Sequence, residues 1–297
     1  MSTATTTTFA PAKVNVCLFL GGTRADGRHE LVTLFESVGL VDLLQIAPRS
    51  AGPDEVVCDG VAGRNLVADA LDALRAAGWA APPVTVTITK RIPVAAGMGG
   101  GSADAAAVLR HAPTLAPVAD AVVARIAAGL GADVPSQLDP GVSLGTGAGE
   151  VVQRLPDLPD HALVVVPAAF PLATADVYRE ADRLGLGRPA RELEGLAIRV
   201  RAAALAGAPV PAELVVNDLQ PAALSLHPEI GRVLDEVRAA GADRALVCGS
   251  GPTVIGLFWE DGSARAAAAR DVLRAWGRRA GVAAPARTGF LPSAPNE

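Results

Sequence analysis

The chain has 297 residues, half of them hydrophobic, a formal net charge of −5 and only 3% aromatics. That is enough for one large domain or two ordinary ones with real cores, and an acidic balance without basic runs or aromatic-basic patches excludes a nucleic-acid platform. Three widely spaced cysteines (Cys17, Cys58, Cys248) and four histidines without ligand spacing argue against a disulfide framework or a zinc centre and fit a reducing compartment.

The threonine-rich start lacks the basic and apolar parts of a signal peptide, and no apolar run is long enough to span a bilayer. A soluble cytoplasmic protein is the expectation. Residues 13–20 read as a strand in which Lys13 and Asn15, two apart, point to one face. The pair is either a solvated edge or an inward polar pair that needs partners. A turn-rich loop over 21–27 carries the Asp26-Gly27 turn signal, and His29 follows it as a plain turn residue or a ligand. Further strands are expected within 31–46. Residues 66–77 carry a helical pattern, with Asn65 as N-cap and Gly78 as stop. Residues 84–90 alternate with the strand period. A glycine loop and a helix over 102–111 come next, then an amphipathic helix over 118–130 ended by Gly129 and Gly131. Asp133 lies just past that helix end, where the dipole disfavours a carboxylate. Such a position points to a task, or to capping a new turn. A strand with a turn is expected over 142–149.

The 155–160 segment, Leu-Pro-Asp-Leu-Pro-Asp, is the best linker. It predicts two α+β domains, 1–155 and 156–297. Beyond it come a strand over 162–167 and helices near 174–184, 191–206 and 212–225. Pro228 opens a helix ending before Gly241, and strands near 244–248 and 253–259 flank a Gly249-Ser250-Gly251 turn. A long helix is predicted over 263–280, and 291–297 read as frayed.

The loop from Pro93 to Asp104 is the densest signal. Gly97, Gly99, Gly100 and Gly101 lie between a strand and a helix start, where backbone N–H groups and the helix dipole favour an anion. No lysine follows the glycines as a P-loop requires. A dinucleotide turn is nearly matched, but it does not follow the strand directly, and the acidic residue downstream, Asp120, sits in a helical stretch. A ligand-free turn is the bland reading, and four glycines against a helix start speak against it.

Three motifs together, Pro11-Ala12-Lys13-Val14-Asn15, Pro93-x-x-x-Gly97-x-Gly99-Gly100-Gly101-Ser102-x-Asp104-Ala105-Ala106 and Gly249-Ser250-Gly251-Pro252-Thr253, resemble the GHMP small-molecule kinases. The likeness runs in order over nearly the whole chain. It is strongest to the branch acting on a diphosphocytidyl derivative of methylerythritol, through Asp26-Gly27, His29-Glu30-Leu31, Asn65-Leu66, residues 131–135 and Asn217-Asp218-Leu219-Gln220-Pro221. The resemblance implies a two-domain α+β GHMP kinase fold with ATP and substrate in the cleft between domains. It implies ATP-dependent phosphorylation of the acceptor's 2-hydroxyl in non-mevalonate isoprenoid precursor biosynthesis. Asp133 is then the base and Lys13 orients the hydroxyl. Pro93, Gly97, Met98, Gly99, Gly100, Gly101, Ser102 and Ala103 hold the ATP phosphates with Mg²⁺, Ser102 on phosphate or on metal. Asn65 lies near the adenine. Asn15, Arg28, His29 and Tyr178 take the acceptor, His29 at the cytosine edge and Tyr178 packed on the base. The implied partners are small molecules, with no nucleic acid or membrane, and the chain is a monomer or weak homodimer.

Two residues depart from the family pattern. Arg28 stands where a tyrosine is usual, although a guanidinium plane also stacks on a base. Ser136-Gln137 replace bulky apolar residues, and both departures are expected on the acceptor side. Two rival readings therefore stay open: a GHMP-type paralogue acting on another small alcohol, and a non-catalytic nucleotide-binding protein.

Overall fold

Two long strands organise the first half: β1 (Thr6–Thr23) and β2 (His29–Pro48), an antiparallel hairpin. The computed structural model describes residues 5–286 except 61, 62 and 64. The 291–297 stretch expected to fray lies outside them, as does the beginning of the threonine-rich start. The hairpin closes over residues 24–28, where Gly27 takes a left-handed φ of 80° and donates to the Arg24 carbonyl at 3.0 Å. Register shifts fall at Pro11/Ala12, where proline offers no N–H, and at Asn15/Cys17. Strand β1 thus runs through the expected 21–27 loop as far as Thr23, because its cross-strand partners continue to His29.

β3 (Glu55–Cys58), β4 (Val84–Thr89), β5 (Val142–Thr146) and β6 (Val151–Arg154) complete the first sheet, in the order β3-β4-β2-β5-β6 with β1 on β2. Helix α1 (Leu66–Ala76) begins as expected: the Asn65 side chain accepts from the Val67 and Ala68 amides. Helix α2 (Gly100–Leu115) buries Ala103, Ala105, Ala106, Ala107 and Leu109 almost completely. Its small side chains let the helix lie close on β1, so it reads as alanine-rich rather than amphipathic. Helix α3 (Asp120–Leu130) ends at Gly131, and a single 3₁₀ turn (Pro135–Gln137) follows.

In the second half, β7 (Ala162–Val166), β8 (Arg244–Val247), β9 (Val254–Phe258) and β10 (Gly281–Ala283) form an antiparallel sheet in the order β10-β7-β9-β8. Helices α4 (Thr174–Leu184), α5 (Ala190–Leu205), α6 (Gln220–Leu226), α7 (Glu229–Ala239) and α8 (Gly262–Ala275) accompany it. Two expectations fail. The 212–225 helix is a 3₁₀ turn (Ala212–Leu214), an extended stretch and then α6, because Asn217 forms a parallel bridge with Leu18 of β1. The 263–280 helix stops at Ala275: Gly277 turns with φ 82°, and residues 281–283 pair with β7. Among the described residues no helix is long and apolar enough to cross a membrane.

The largest apolar core does not respect the 155–160 segment. It joins Val14, Val16 and Leu34 of the first sheet to Leu163, Ile255 and Leu257 of the second, under Leu196 and Val200 of α5. One ion pair is buried in the same seam. His161 Nε2–H donates to Glu36 Oε2 at 2.8 Å and Nδ1–H donates to the Pro159 carbonyl at 2.7 Å, with the two side chains 0% and 1% exposed. Both ring nitrogens face oxygens, an arrangement that favours the protonated imidazolium. Burial alone would lower its pKa, but the Glu36 carboxylate and the Pro159 carbonyl raise it above the ordinary 6.5.

A His pKa raised by folding contributes stability that is complete below the unfolded value and disappears as pH rises through the folded one. Denaturant melts between pH 6 and pH 9 are expected to show stability falling above neutrality. His161→Gln, which strands the Glu36 charge, is expected to lose about 3–5 kcal/mol at pH 6 and to flatten that pH slope.

Candidate active site

A cavity of about 780 Å³ opens between the glycine loop, β1, the 131–134 turn and one face of α4. At its centre is Lys13, only 4% exposed in an apolar strand. Its Nζ donates to Asn15 Oδ1 at 2.8 Å and to the Gly97 carbonyl at 3.2 Å, and pairs with Asp133 Oδ2 at 3.3 Å. The Phe35 ring lies 5.6 Å below it. Three donors therefore meet three acceptors, which is what a buried ammonium needs. Asn15 in turn donates to Thr33 Oγ1 at 2.8 Å. The i, i+2 pair of β1 is thus the inward polar pair, not the solvated edge. Asp133 remains about one-third exposed and faces the cavity.

The glycine loop touches the lysine directly. Lys13 N donates to the Met98 carbonyl at 3.0 Å, and a Cβ on Gly99 (φ 68°) would fall 2.9 Å from Lys13 Cγ. Helix α2 then begins with no capping side chain and no acid in its first turn. The N–H groups of Gly100, Gly101 and Ser102 thus have no intrahelical acceptor, and the positive helix end faces the cavity. An anion suits that place. Pro93, Met98 and the four glycines line it with Ser102. Ala103, expected with them, does not: its methyl is fully buried and its N–H is taken by the Gly99 carbonyl at 2.8 Å.

Asn65 and Leu66 border the cavity beside the loop, with Asn65 Oδ1 engaged in capping α1. On the opposite side lie Arg28, His29 and Tyr178. The His29 and Tyr178 ring centroids are 5.1 Å apart, and His29 Nε2 contacts Asp182 Oδ1 at 2.7 Å. Burial, with the Asp133 charge, pushes the Tyr178 phenol above its ordinary value, so it stays a neutral O–H. Arg28 is held half-exposed by Asp26, its Nε 3.1 Å from Oδ2, and lines the cavity. Ser136 and Gln137 do not reach the cavity, which corrects the expectation for that departure. Ser136 Oγ donates to the Asp133 carbonyl at 2.8 Å, while Gln137 donates to the Pro11 carbonyl and accepts from Ser37, each at 3.2 Å. Ser136 thus closes the Asp133 turn and Gln137 fastens it to β1 and β2.

Sequence reasoning missed a second lysine. Lys90 Nζ bonds the buried Asp42 and lies 2.7 Å from Asp104 Oδ2, while Asp42 Oδ1 accepts the Ile92 amide at 2.8 Å. This trio clamps the start of the loop to the helix after it. Burial, strengthened by Asp42 and opposed by Lys90, pushes the Asp104 carboxyl up to about 7. A signal was present: Lys13 and Lys90 are the only lysines of the chain, every other side-chain cation of that class being arginine. Asp182, four residues after Tyr178 on one face of α4, was also legible from helical spacing. Among the described residues no group of three or more His, Cys, Asp or Glu side chains could hold a metal ion.

Comparison with known proteins bears out the family resemblance. The model described as GHMP kinases N terminal domain matches residues 65–148, and that described as GHMP kinases C terminal matches 200–279. A 4-diphosphocytidyl-2-C-methyl-D-erythritol kinase of Streptomyces coelicolor is 44% identical over 276 residues, covering 90% of this chain and 91% of the relative. A protein of the same name from a Nocardioides species is 42% identical, covering 88% and 91%. A crystal structure of 4-(cytidine 5'-diphospho)-2C-methyl-D-erythritol kinase is similar with a TM-score of 0.75 at 34% identity, covering 94% of this chain and 99% of that one. Homoserine kinase from Cytophaga hutchinsonii also reaches 0.75, at 18% identity and 97% and 96% coverage, a likeness of fold alone.

Gly97 has φ 75°, and a Cβ there would sit 2.4 Å from the Cys248 carbonyl oxygen and 2.8 Å from that of Gly251. Gly97→Ala is expected to lower stability by at least the 1–3 kcal/mol typical of backbone strain, about a few degrees in melting temperature, and to weaken nucleotide binding at least tenfold. Gly101→Ala, whose Cβ would meet only Leu66 Cδ1 at 3.8 Å, is the control and is expected to melt like the wild type.

Proposed function

The chain belongs to the GHMP kinases, and from that premise we propose that it transfers the γ-phosphate of ATP to the 2-hydroxyl of 4-diphosphocytidyl-2-C-methyl-D-erythritol. The observation that carries this reading is one ammonium and one carboxylate, Lys13 and Asp133, 3.3 Å apart beside an uncapped helix start. The names of the relatives supply the acceptor. The reading includes a division near residue 155, with 1–155 and 156–297 as N- and C-terminal domains. It also includes a cytoplasmic setting, small-molecule partners only and a monomer or weak homodimer.

The residues act in the following way. The amides of Gly100, Gly101 and Ser102 bind the phosphate oxygens, helped by the helix dipole. Asp133 accepts the proton of the acceptor hydroxyl as that oxygen forms its bond to the γ-phosphorus and the bond to the β-phosphate bridge breaks. ADP leaves, and the proton stays on Asp133 until it is released to water. Lys13 holds Asp133 and the entering oxygen in register and offsets the charge gathered there. On the acceptor side, Tyr178 and His29 flank the base and the Arg28 plane covers it at the mouth, where a tyrosine is usual.

Purified protein with ATP is expected to release ADP with the cytidyl alcohol and not with homoserine, mevalonate or simple polyols. Turnover with one of those alcohols alone would favour a paralogue of different acceptor, and nucleotide binding without any turnover would make the chain non-catalytic. Asp133→Asn is expected to lower kcat by about 10²–10⁴-fold while nucleotide affinity stays near the wild-type value. Full activity in that variant would remove Asp133 from the chemistry.

A further inference from the structure

The Asn217-Asp218-Leu219-Gln220-Pro221 motif has no place in the chemistry above, yet the structure bonds it to the Gly249 turn that abuts the lysine. Asn217 is 4% exposed and does not line the active-site cavity. Its Nδ2 donates at 2.7 Å to both the Val247 and the Gly249 carbonyls, and its Oδ1 accepts from the Leu219 amide at 2.9 Å. Three of the four hydrogen bonds an amide side chain makes most readily are therefore formed. The flanking residues complete the fastening. Leu18 N donates to the Val216 carbonyl at 2.8 Å, Asp218 N donates to the Leu18 carbonyl at 2.9 Å, and Gln220 Oε1 accepts from Val247 N at 3.0 Å. Asp218 also receives Leu20 N at 2.9 Å and is gripped by the Arg188 guanidinium. The segment thus links β1, five residues beyond Lys13, to the exit of β8.

What that exit supports is the ammonium. A Cβ placed on Gly249 would lie 3.1 Å from Asn15 Oδ1, 3.2 Å from the Gly97 carbonyl and 3.3 Å from Lys13 Nζ. Cys248 Sγ contacts the Gly97 carbonyl at 3.5 Å. The Gly249 turn therefore bears on Lys13, on its amide partner and on the glycine loop at once. We propose that Asn217 is a positioning residue for phosphoryl transfer: by holding the Gly249 turn, its side-chain amide fixes the floor on which the Lys13 ammonium meets Asp133. The effect falls on alignment rather than on binding, because Asn217 touches neither the helix start nor the base-flanking rings.

The inference rests on the kinase reading but has its own readout. With only two lysines in the chain, a spectrum of isotope-labelled lysine carries two side-chain signals, assigned with Lys13→Arg and Lys90→Arg. In Asn217→Ala the Lys13 signal is expected to shift and the Lys90 signal to stay. In the same variant kcat is expected to fall about 10- to 100-fold, as for a misplacement near 1 Å, with KM for ATP within about threefold of wild type. Should Asn217→Ala fail to fold, Gly249→Ala presses on the same contact from the other side and is expected to give the same pattern. An unmoved Lys13 signal together with a kcat within twofold of wild type, in a folded variant of either kind, overturns the proposal. Failure of the kinase reading looks different: the wild type itself does not turn over the cytidyl alcohol.

Discussion

A charged lysine enclosed in an apolar strand is the constraint from which the rest of the molecule follows. Desolvating an ammonium costs several kcal/mol unless each of its protons meets an acceptor. Lys13 finds its three on three separate segments: Asn15 Oδ1 on its own strand, the Gly97 carbonyl on the glycine loop and Asp133 after α3. Each of those segments is held to the common frame. The Lys13–Met98 backbone bond fixes the loop, and Gln137 and Ser136 fix the Asp133 turn. The lysine thus measures whether three parts of the chain are in place, and the place where they converge is the place where a phosphoryl group and a hydroxyl would meet.

Small residues make this convergence possible. Gly97 and Gly99 stand where a methyl group would collide with backbone or with Lys13, and at Gly249 it would crowd Asn15, the Gly97 carbonyl and Lys13. The alanines of α2 bring its uncapped start against β1. The second lysine, Lys90, closes the same arc from behind by joining Asp42 to Asp104 across the loop. Elsewhere on the surface the chain uses arginine, whose fork serves exposed carboxylates, and it keeps the compact ammonium for these two enclosed positions.

Much of this was legible one residue at a time. The cap at Asn65, the alternation over 84–90 and the glycine turn against a helix start all follow from local chemistry that the fold retains, while the Lys13–Asn15 pair stood open between a solvated edge and the inward face it takes. The losses are places where long-range bonding overrode local preference. Residues 212–225 favour a helix, but Asn217 has partners on β1 and beyond β8, and the chain is extended there instead. The 263–280 pattern gives up its last turn to an edge strand on β7. Ala103 and Gln137 were misplaced because burial is decided by what packs against a residue, and Ala103 is on the buried face of α2. The Lys90 trio spans separations of 14 and 48 residues, which no periodicity reveals.

The account stands or falls on where a triphosphate lies. A crystal structure with a non-hydrolysable ATP analogue and the cytidyl alcohol measures that directly. The account predicts the γ-phosphate at the start of α2, within hydrogen-bonding reach of Lys13, and the acceptor hydroxyl against Asp133 with the base between Tyr178 and Arg28. A triphosphate lying away from the Gly97–Gly101 loop, or a hydroxyl out of reach of Asp133, would contradict it.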